Sequence, residues 1–312
     1  MTDAFQQHAS SALPGATLMI LGAARCGTSS LYELFRLHAD VCASVLKEPY
    51  FFEDEYAQGL DYYRRTYFPH WNGQRVLVEG RPANMVLPYV TPRIKESCPE
   101  ARFIVSLREP AERAFSHWAL RYSIGLENRR FDVAIAENHR RLQAGNVLEG
   151  PDAERIWRAA ICHETRYVSF DVYLDAGFYA AHLRRFFAVF PRERFCILTM
   201  DELRRDPAQV AQRLFHFAGL DPARGPASIP HANATLATGP RLLHRIDNVL
   251  HLRKLLSTEL RLRLRAWTSP LQRRLKPPAE TMRWLREYYA RHDQDLCELL
   301  GWARCPWQGE GE

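Results

Sequence analysis

Lysine is almost missing from this chain of 312 residues. It stands at positions 47, 95, 254 and 276 only, so the formal charge of +6 rests on arginine. Seven cysteines are scattered at 26, 42, 98, 162, 196, 297 and 305, an odd count with no C-x-x-C pair. That pattern speaks against a disulfide framework and a zinc knuckle, and no metal is expected. No apolar run reaches the roughly 18 residues that a transmembrane helix needs. The first 14 residues lack a basic stretch followed by an apolar one, so no signal peptide is expected and a reducing cytoplasm is the default. Low complexity, coiled-coil heptads and internal repeats are absent as well. What is present is 46% hydrophobic, with 16 Phe, 13 Tyr and 7 Trp, enough for a large core. We expect a flexible stretch over 1–14 and a single domain over 15–312, whose part from 240 to 312 is helical.

The chain is organised around Leu18–Leu37. Leu18 to Leu21 reads as a buried strand, and Gly22 and Gly27 bracket a tight turn. Ser29 and Ser30 are placed to cap a helix over Ser29–His38 with Leu31, Leu34, Phe35 and His38 on its apolar face. Strand, glycine turn and helix aim backbone N–H groups and a helix N-terminus at one point, which attracts an anion. The glycine spacing is that of a Walker A loop, but the lysine position holds Thr28 and the cation comes earlier, at Arg25. Without the lysine, the loop suits an anion at the 5′ end of a nucleotide better than ATP with magnesium. An ordinary strand–turn–helix with incidental glycines is the plainer reading of this stretch alone.

Val41–Ser44 is a second strand. It leads into Lys47-Glu48-Pro49-Tyr50-Phe51-Phe52, where Pro49 interrupts regular structure and the aromatics anchor the loop. The Lys47–Glu48 pair is either a surface ion pair or a group placed for chemistry. A helix over Gly59–Phe68, a strand over Arg75–Glu79, a helix over Pro88–Ser97 and a strand over Ala101–Leu107 follow. That last strand ends at Arg108 and runs into a helix over Ala111–Ile124, with Ser116 eight residues after Arg108. Arg108 either closes an ion pair with Glu109 or Glu112, or converges with Ser116 on a phosphate. Residues 125–171, with a helix over Phe131–Leu142, read as an excursion over the mouth of a site. Val172–Phe190 reads as a long helix that Gly177 interrupts, or one that begins only after that glycine, Arg194–Thr199 as a strand, and Pro207–Ala218 as a helix closed by Gly219. Two amphipathic basic helices over 240–278 and a closing helix over Thr281–Leu300 complete the chain. The basic pair is either a packed helical pair or a platform for an acidic substrate or membrane surface, which leaves peripheral membrane contact open. Strands alternating with helices predict an α/β, P-loop-like three-layer fold with a central, mostly parallel sheet flanked by helices. Ligands bind such sheets beyond the carboxyl ends of the strands.

These residues resemble the nucleotide-dependent sulfotransferases, which carry sulfuryl from 3′-phosphoadenosine 5′-phosphosulfate (PAPS) to an acceptor. Gly22-Ala-Ala-Arg-Cys-Gly-Thr-Ser-Ser is similar to that family's 5′-phosphosulfate loop, G-x-x-[KR]-x-G-T-[ST]. Arg108 with Ser116 resembles its 3′-phosphate site. Glu48-Pro-Tyr-Phe-Phe resembles the segment of the heparan-sulfate-type branch that contributes a catalytic glutamate. Gly177-Phe-Tyr, Phe195–Thr199 with Asp201-Glu-Leu, and Phe217-Ala-Gly-Leu follow the same order, so the resemblance runs from about Leu18 to Leu220. There are departures. Several relatives carry lysine where this chain has Arg25. The Glu-Lys-[ST]-Pro motif of the branch is Glu79-Gly80-Arg81-Pro82 here, which leaves open whether Arg81 replaces the lysine. The basic loop near the 3′-phosphate is not recognisable after Leu220, where Arg241 is the only stand-in.

The resemblance implies PAPS as donor, held by Arg25, Cys26, Gly27, Thr28, Ser29 and Ser30 at one end and by Arg108, Ser116 and Arg241 at the other. Glu48 is then the base, with His117 or His70 as substitutes, Arg25 stabilises charge on the leaving side, and Lys47 orients Glu48 or contacts the sulfate. No metal or nucleic acid is called for, and the acceptor is a carbohydrate or small metabolite offering a hydroxyl or amine. Two rivals remain at this point. A P-loop nucleotide kinase would show magnesium-dependent ATP binding. A non-enzymatic basic anion-binding module would lose affinity steeply with salt and leave Glu48 idle.

Overall fold

Five parallel strands form the centre of the computed structural model, which describes residues 15–123, 126–145, 152–162, 167–168, 171–230 and 275–308. In chain order the strands are β1 (Ala16–Gly22), β2 (Val41–Ala43), β3 (Val76–Glu79), β4 (Arg102–Leu107), a two-residue antiparallel pair β5 (Ile161–Cys162) and β6 (Tyr167–Val168), and β7 (Phe195–Thr199). The sheet order is β2-β3-β1-β4-β7, and every neighbouring pair is parallel. The period of two sorts each strand onto two cores. Met19, Leu21, Leu77, Phe103 and Val105 face one side of the sheet. Leu18, Ile20, Val76, Val78 and Ile104 face the other.

The second of these faces is covered by α1 (Thr28–Arg36) and, further along the chain, by Leu214 and Phe215 of a helix described below. On the first lie α2 (Gly59–Tyr67), α3 (Ala83–Val86) and α4 (Val90–Ser97), joined by Leu183 and Phe186. Helices α5 (Pro110–Ser123), α6 (Phe131–Gln143) and α7 (Ala153–Ala160) follow β4. After them come α8 (Tyr179–Phe187), α9 (Met200–Arg205), α10 (Pro207–Ala218), which supplies Leu214 and Phe215, and α11 (Ala279–Leu300). A third core joins α5, α6 and α11 through Trp118, Phe131, Ile135, Leu285 and Tyr289. Each such side chain contributes about 1.5–3 kcal/mol by leaving water. Among the described residues no helix is long and apolar enough to cross a membrane.

Several local expectations need correction. Helix α1 is capped by Gly27 at φ 80°, not by Ser29 or Ser30, which sit inside its first turn. Only a glycine turns the chain this way at low cost. Phe51–Glu55 is a π-helical turn, and its two phenylalanines are buried as anchors. Of the helix expected over Val172–Phe190, the start after Gly177 is the one observed: it begins at Tyr179, after a 3-10 turn at Asp175–Gly177, and ends at Phe187. Gly177 is required there, because a Cβ would lie 2.5 Å from the Tyr289 hydroxyl oxygen. The cysteine spacing predicts no disulfide, yet Cys297 and Cys305 are bonded across eight residues, with Cα atoms 5.8 Å apart. The basic helices expected over 240–278, and Arg241 with them, lie outside the described residues save for 275–278.

At the end of β3, Glu79 is buried and accepts hydrogen bonds from the Tyr63 hydroxyl at 2.9 Å and from Asn84 Nδ2 at 3.2 Å. Burial pushes its carboxyl up to about 7, against an ordinary 4.5. Between those values the folded chain keeps a proton that the unfolded chain has released, so this group's contribution to stability falls as pH rises through the window. Glu79→Gln removes that slope. Thermal melts should show the variant gaining on the parent from pH 4.5 to 7.5, by no more than about 3 kcal/mol. A difference that does not change with pH refutes the assignment.

Candidate active site

The carboxyl ends of β1, β3 and β4 open on one edge of the sheet, where Gly22, Glu79 and Leu107 deliver three loops. In the first loop the Ala23 N–H donates to Ser106 O at 2.7 Å, which ties the turn to β4. Arg25 adopts φ 72°, a left-handed conformation rare for a side-chain-bearing residue. Gly27 follows at φ 80° and has no side chain to cap α1, so the first turn of that helix faces the turn with its N–H groups outward. A Cβ on Gly27 would meet Met200 Sδ at 3.0 Å. Cys26 lies in this loop but is fully buried, and its N–H is spent on Ala23 O at 3.1 Å. Burial, against nearby arginines, pushes its thiol up to about 11. Cys26 therefore shapes the loop and carries no charge at neutral pH.

Arg25 Nε donates to Ser116 Oγ at 3.2 Å, joining two residues 91 positions apart. Burial and the neighbouring Arg108 both lower the proton affinity of the Arg25 guanidinium. The expected 5′ and 3′ anion sites are thus contiguous, with Ser116 between them. Arg108 is ion-paired with Glu112, Nη2 to Oε2 at 2.7 Å, the plainer of the two roles its sequence position allows. Glu109 pairs instead with Arg286 of α11 at 2.5 Å. The Arg108 side chain keeps about a fifth of its surface in solvent (21%), so it remains open to an anion. Its carbonyl is fixed by the Tyr179 hydroxyl, which donates at 2.9 Å.

The third group of residues follows β2. Lys47 Nζ donates to Thr28 Oγ1 at 3.1 Å and to Glu48 Oε1 at 2.9 Å. The charged pair of the sequence is therefore attached to the anion loop itself. Gly80 N donates to Lys47 O at 2.8 Å and holds this backbone against the end of β3. Glu48 keeps 40% of its side chain exposed. Burial of its carboxyl opposes ionisation, but Lys47, Arg81 and Arg25 outweigh it and hold the group below the usual carboxylate range. Arg81 Nη1 reaches Glu48 Oε2 at 3.5 Å, and Arg81 Nη2 is paired with Glu53. The Arg81 guanidinium also lies 4.1 Å from the centre of the Tyr50 ring. Glu53 is buried and accepts a further hydrogen bond from Trp157 Nε1 of α7 at 3.2 Å.

Of the two substitute bases, His117 is held well below its ordinary proton affinity by burial and by Arg113 and Arg121. His70 is exposed in the turn after α2. Sequence reasoning misses Glu53 and Trp157. Glu53 sits between two phenylalanines and an aspartate, as an exposed acid would, and Trp157 joins it from 104 positions away. Among the described residues no group of three or more His, Cys, Asp and Glu could hold a metal ion.

Residues 16–236 match the family described as the sulfotransferase domain, and the chain belongs to that family. It is similar to heparan sulfate glucosamine 3-O-sulfotransferase 6 of Homo sapiens, 31% identical over 204 residues, which is 65% of this chain and 52% of that protein. It is also similar to heparan sulfate glucosamine 3-O-sulfotransferase 3B1 of Mus musculus, 29% identical over 218 residues, 69% of this chain and 48% of that protein. The chain thus spans about half the length of the curated relatives it matches. Its fold is that of a solved sulfotransferase from Alicyclobacillus acidocaldarius, with a TM-score of 0.61 at 21% identity over 92% of this chain and 96% of that one.

Arg108→Ala tests the assignment of the 3′ site. Calorimetry should record a loss of about 1.5–3 kcal/mol for adenosine 3′,5′-bisphosphate, the size of a hydrogen bond to a charged group, and little change for AMP. Equal losses for both ligands remove Arg108 from that role.

Proposed function

We propose that this protein transfers a sulfuryl group from PAPS to a hydroxyl or amine of a carbohydrate acceptor. The observation that carries the reading is the Lys47–Glu48 pair held on Thr28 of the anion loop. It brings a carboxylate and an ammonium to the point where the 5′-phosphosulfate of a loop-bound nucleotide would end. The N–H groups of the α1 first turn, with Thr28, Ser29 and Ser30, bind the 5′-phosphate. Arg25 and Ser116 span the two phosphates of the donor, and Arg108 takes the 3′ one.

In the reaction the acceptor oxygen or nitrogen attacks sulfur in line, the new bond to sulfur forms and the bond from sulfur to the 5′-phosphate oxygen breaks. Glu48 takes the acceptor's proton, and adenosine 3′,5′-bisphosphate leaves. Charge that builds on the bridging oxygen and the sulfuryl oxygens is met by Lys47 and Arg25, in the way electrostatic stabilisation serves phosphoryl transfer. The carbohydrate acceptor is supported by the named acceptor of the curated relatives, heparan sulfate glucosamine. The kinase reading is disfavoured by the loop, whose Thr28 hydroxyl is engaged by Lys47, and by β4, which ends at Leu107 and is followed by Arg108 where an acid would hold magnesium.

The test is incubation with PAPS labelled in the sulfate and a panel of glycans, lipids and phenols. Glycans should take up label. Glu48→Gln should lose turnover by about 10²-fold or more, as loss of a general base does, while adenosine 3′,5′-bisphosphate binds as before. Undiminished turnover removes Glu48 as the base, and label on lipids or phenols alone removes the carbohydrate.

A further inference from the structure

Arg81 stands between two carboxylates of different exposure. Glu53 is fully buried, and Glu48 opens to the site. One terminal nitrogen of the guanidinium pairs with Glu53 and the other reaches Glu48 Oε2 at the longer distance of 3.5 Å. The Arg81 side chain is 6% exposed, and its guanidinium is packed over Tyr50. Glu53 is oriented in turn by Trp157, whose indole N–H donates to its second oxygen at 3.2 Å. The planar fork serves the two carboxylates through separate nitrogens, Nη2 toward Glu53 and Nη1 toward Glu48.

We propose that Glu53 is a positioning residue for Glu48: clamped by Trp157, it draws the Arg81 guanidinium away from Glu48 and so leaves that carboxylate free to accept a proton. The inference rests on Glu48 as the base of the proposed reaction. The groups around the pair are few. Lys47 and Arg25 act on Glu48 together with Arg81, and Glu48 in turn acts on Glu53. Glu79 lies within reach of Glu53, whose charge is felt by Tyr50 and Tyr89. When Glu53 loses its charge, Arg81 has Glu48 as its remaining carboxylate partner among the described residues. Glu48 is then a weaker base.

The experiment is a pH titration of the full chain labelled with 13C at glutamate side-chain carboxyls, the Glu48 resonance being assigned by its loss in Glu48→Gln. In Glu53→Gln the Glu48 midpoint should fall by about one pH unit, a tenfold change in proton affinity. The same substitution in an Arg81→Gln background should move it clearly less, because the effect runs through Arg81. Trp157→Phe leaves the buried ion pair in place and should shift the midpoint in the same direction by a smaller amount. It serves if Glu53→Gln does not fold. The acidic limb of kcat should follow the midpoint downward, with kcat reduced. An unmoved midpoint, or an equal shift with and without Arg81, overturns the proposal. The titration needs no turnover, so failure to transfer label from PAPS would count against the proposed function and leave this result to stand on its own.

Discussion

A guanidinium taken out of water must find a counter-charge, since the uncompensated cost is several kcal/mol for each ion. The carboxyl edge of this sheet is built around that constraint, and it meets it in two ways. Arg81 has a direct counter-charge, because Glu53 lies beside it and Glu48 within reach. Arg25 is compensated less closely: its hydrogen-bond partner at Ser116 is a neutral hydroxyl, Arg108 repels it, and Glu48 attracts it without an ion pair. Two arginines crowded beside a helix N-terminus that no side chain caps form a site that gains from an anion.

The sheet also explains why these charges converge. Parallel strands place all their carboxyl ends on one edge, so the three loops that leave β1, β3 and β4 share a small volume. In the motifs that this chain resembles, several relatives carry a lysine where Arg25 stands, and the lysine position of Glu-Lys-[ST]-Pro falls on Gly80, with Arg81 next to it. At both places the cation of this chain is a guanidinium. Arg25 reaches across to the helix after β4, and Arg81 spans two acids, neither of which a point charge on a flexible stem would hold.

Much of this architecture is legible in the amino-acid sequence. The run Leu18–Leu21 and the glycines at 22 and 27 are local signals, and they place the loop and α1 within a residue or two. The order of strands and helices is readable for the same reason, since periodicity acts over short stretches. The contacts that make the site are not local. Arg25 meets Ser116 across 91 residues and Trp157 meets Glu53 across 104, and nothing in either segment marks the partner. A motif gives a residue's position in a loop but not the direction of its side chain, so nothing in the loop sequence marks the Cys26 thiol as buried. Serine is the commoner cap, but the backbone geometry at Gly27 overrules it at α1.

Helix α11 lies beyond residue 236, where the match to the family's domain ends, yet the slot left by Gly177 is filled by its Tyr289. That tyrosine donates to Leu174 O at 2.7 Å, and Arg286 on the same helix pairs with Glu109, the neighbour of Arg108. The domain match and the packing that braces the site therefore end at different places in the chain. A fragment cut at residue 236 would leave an open socket at Gly177 and an unbraced turn at Glu109.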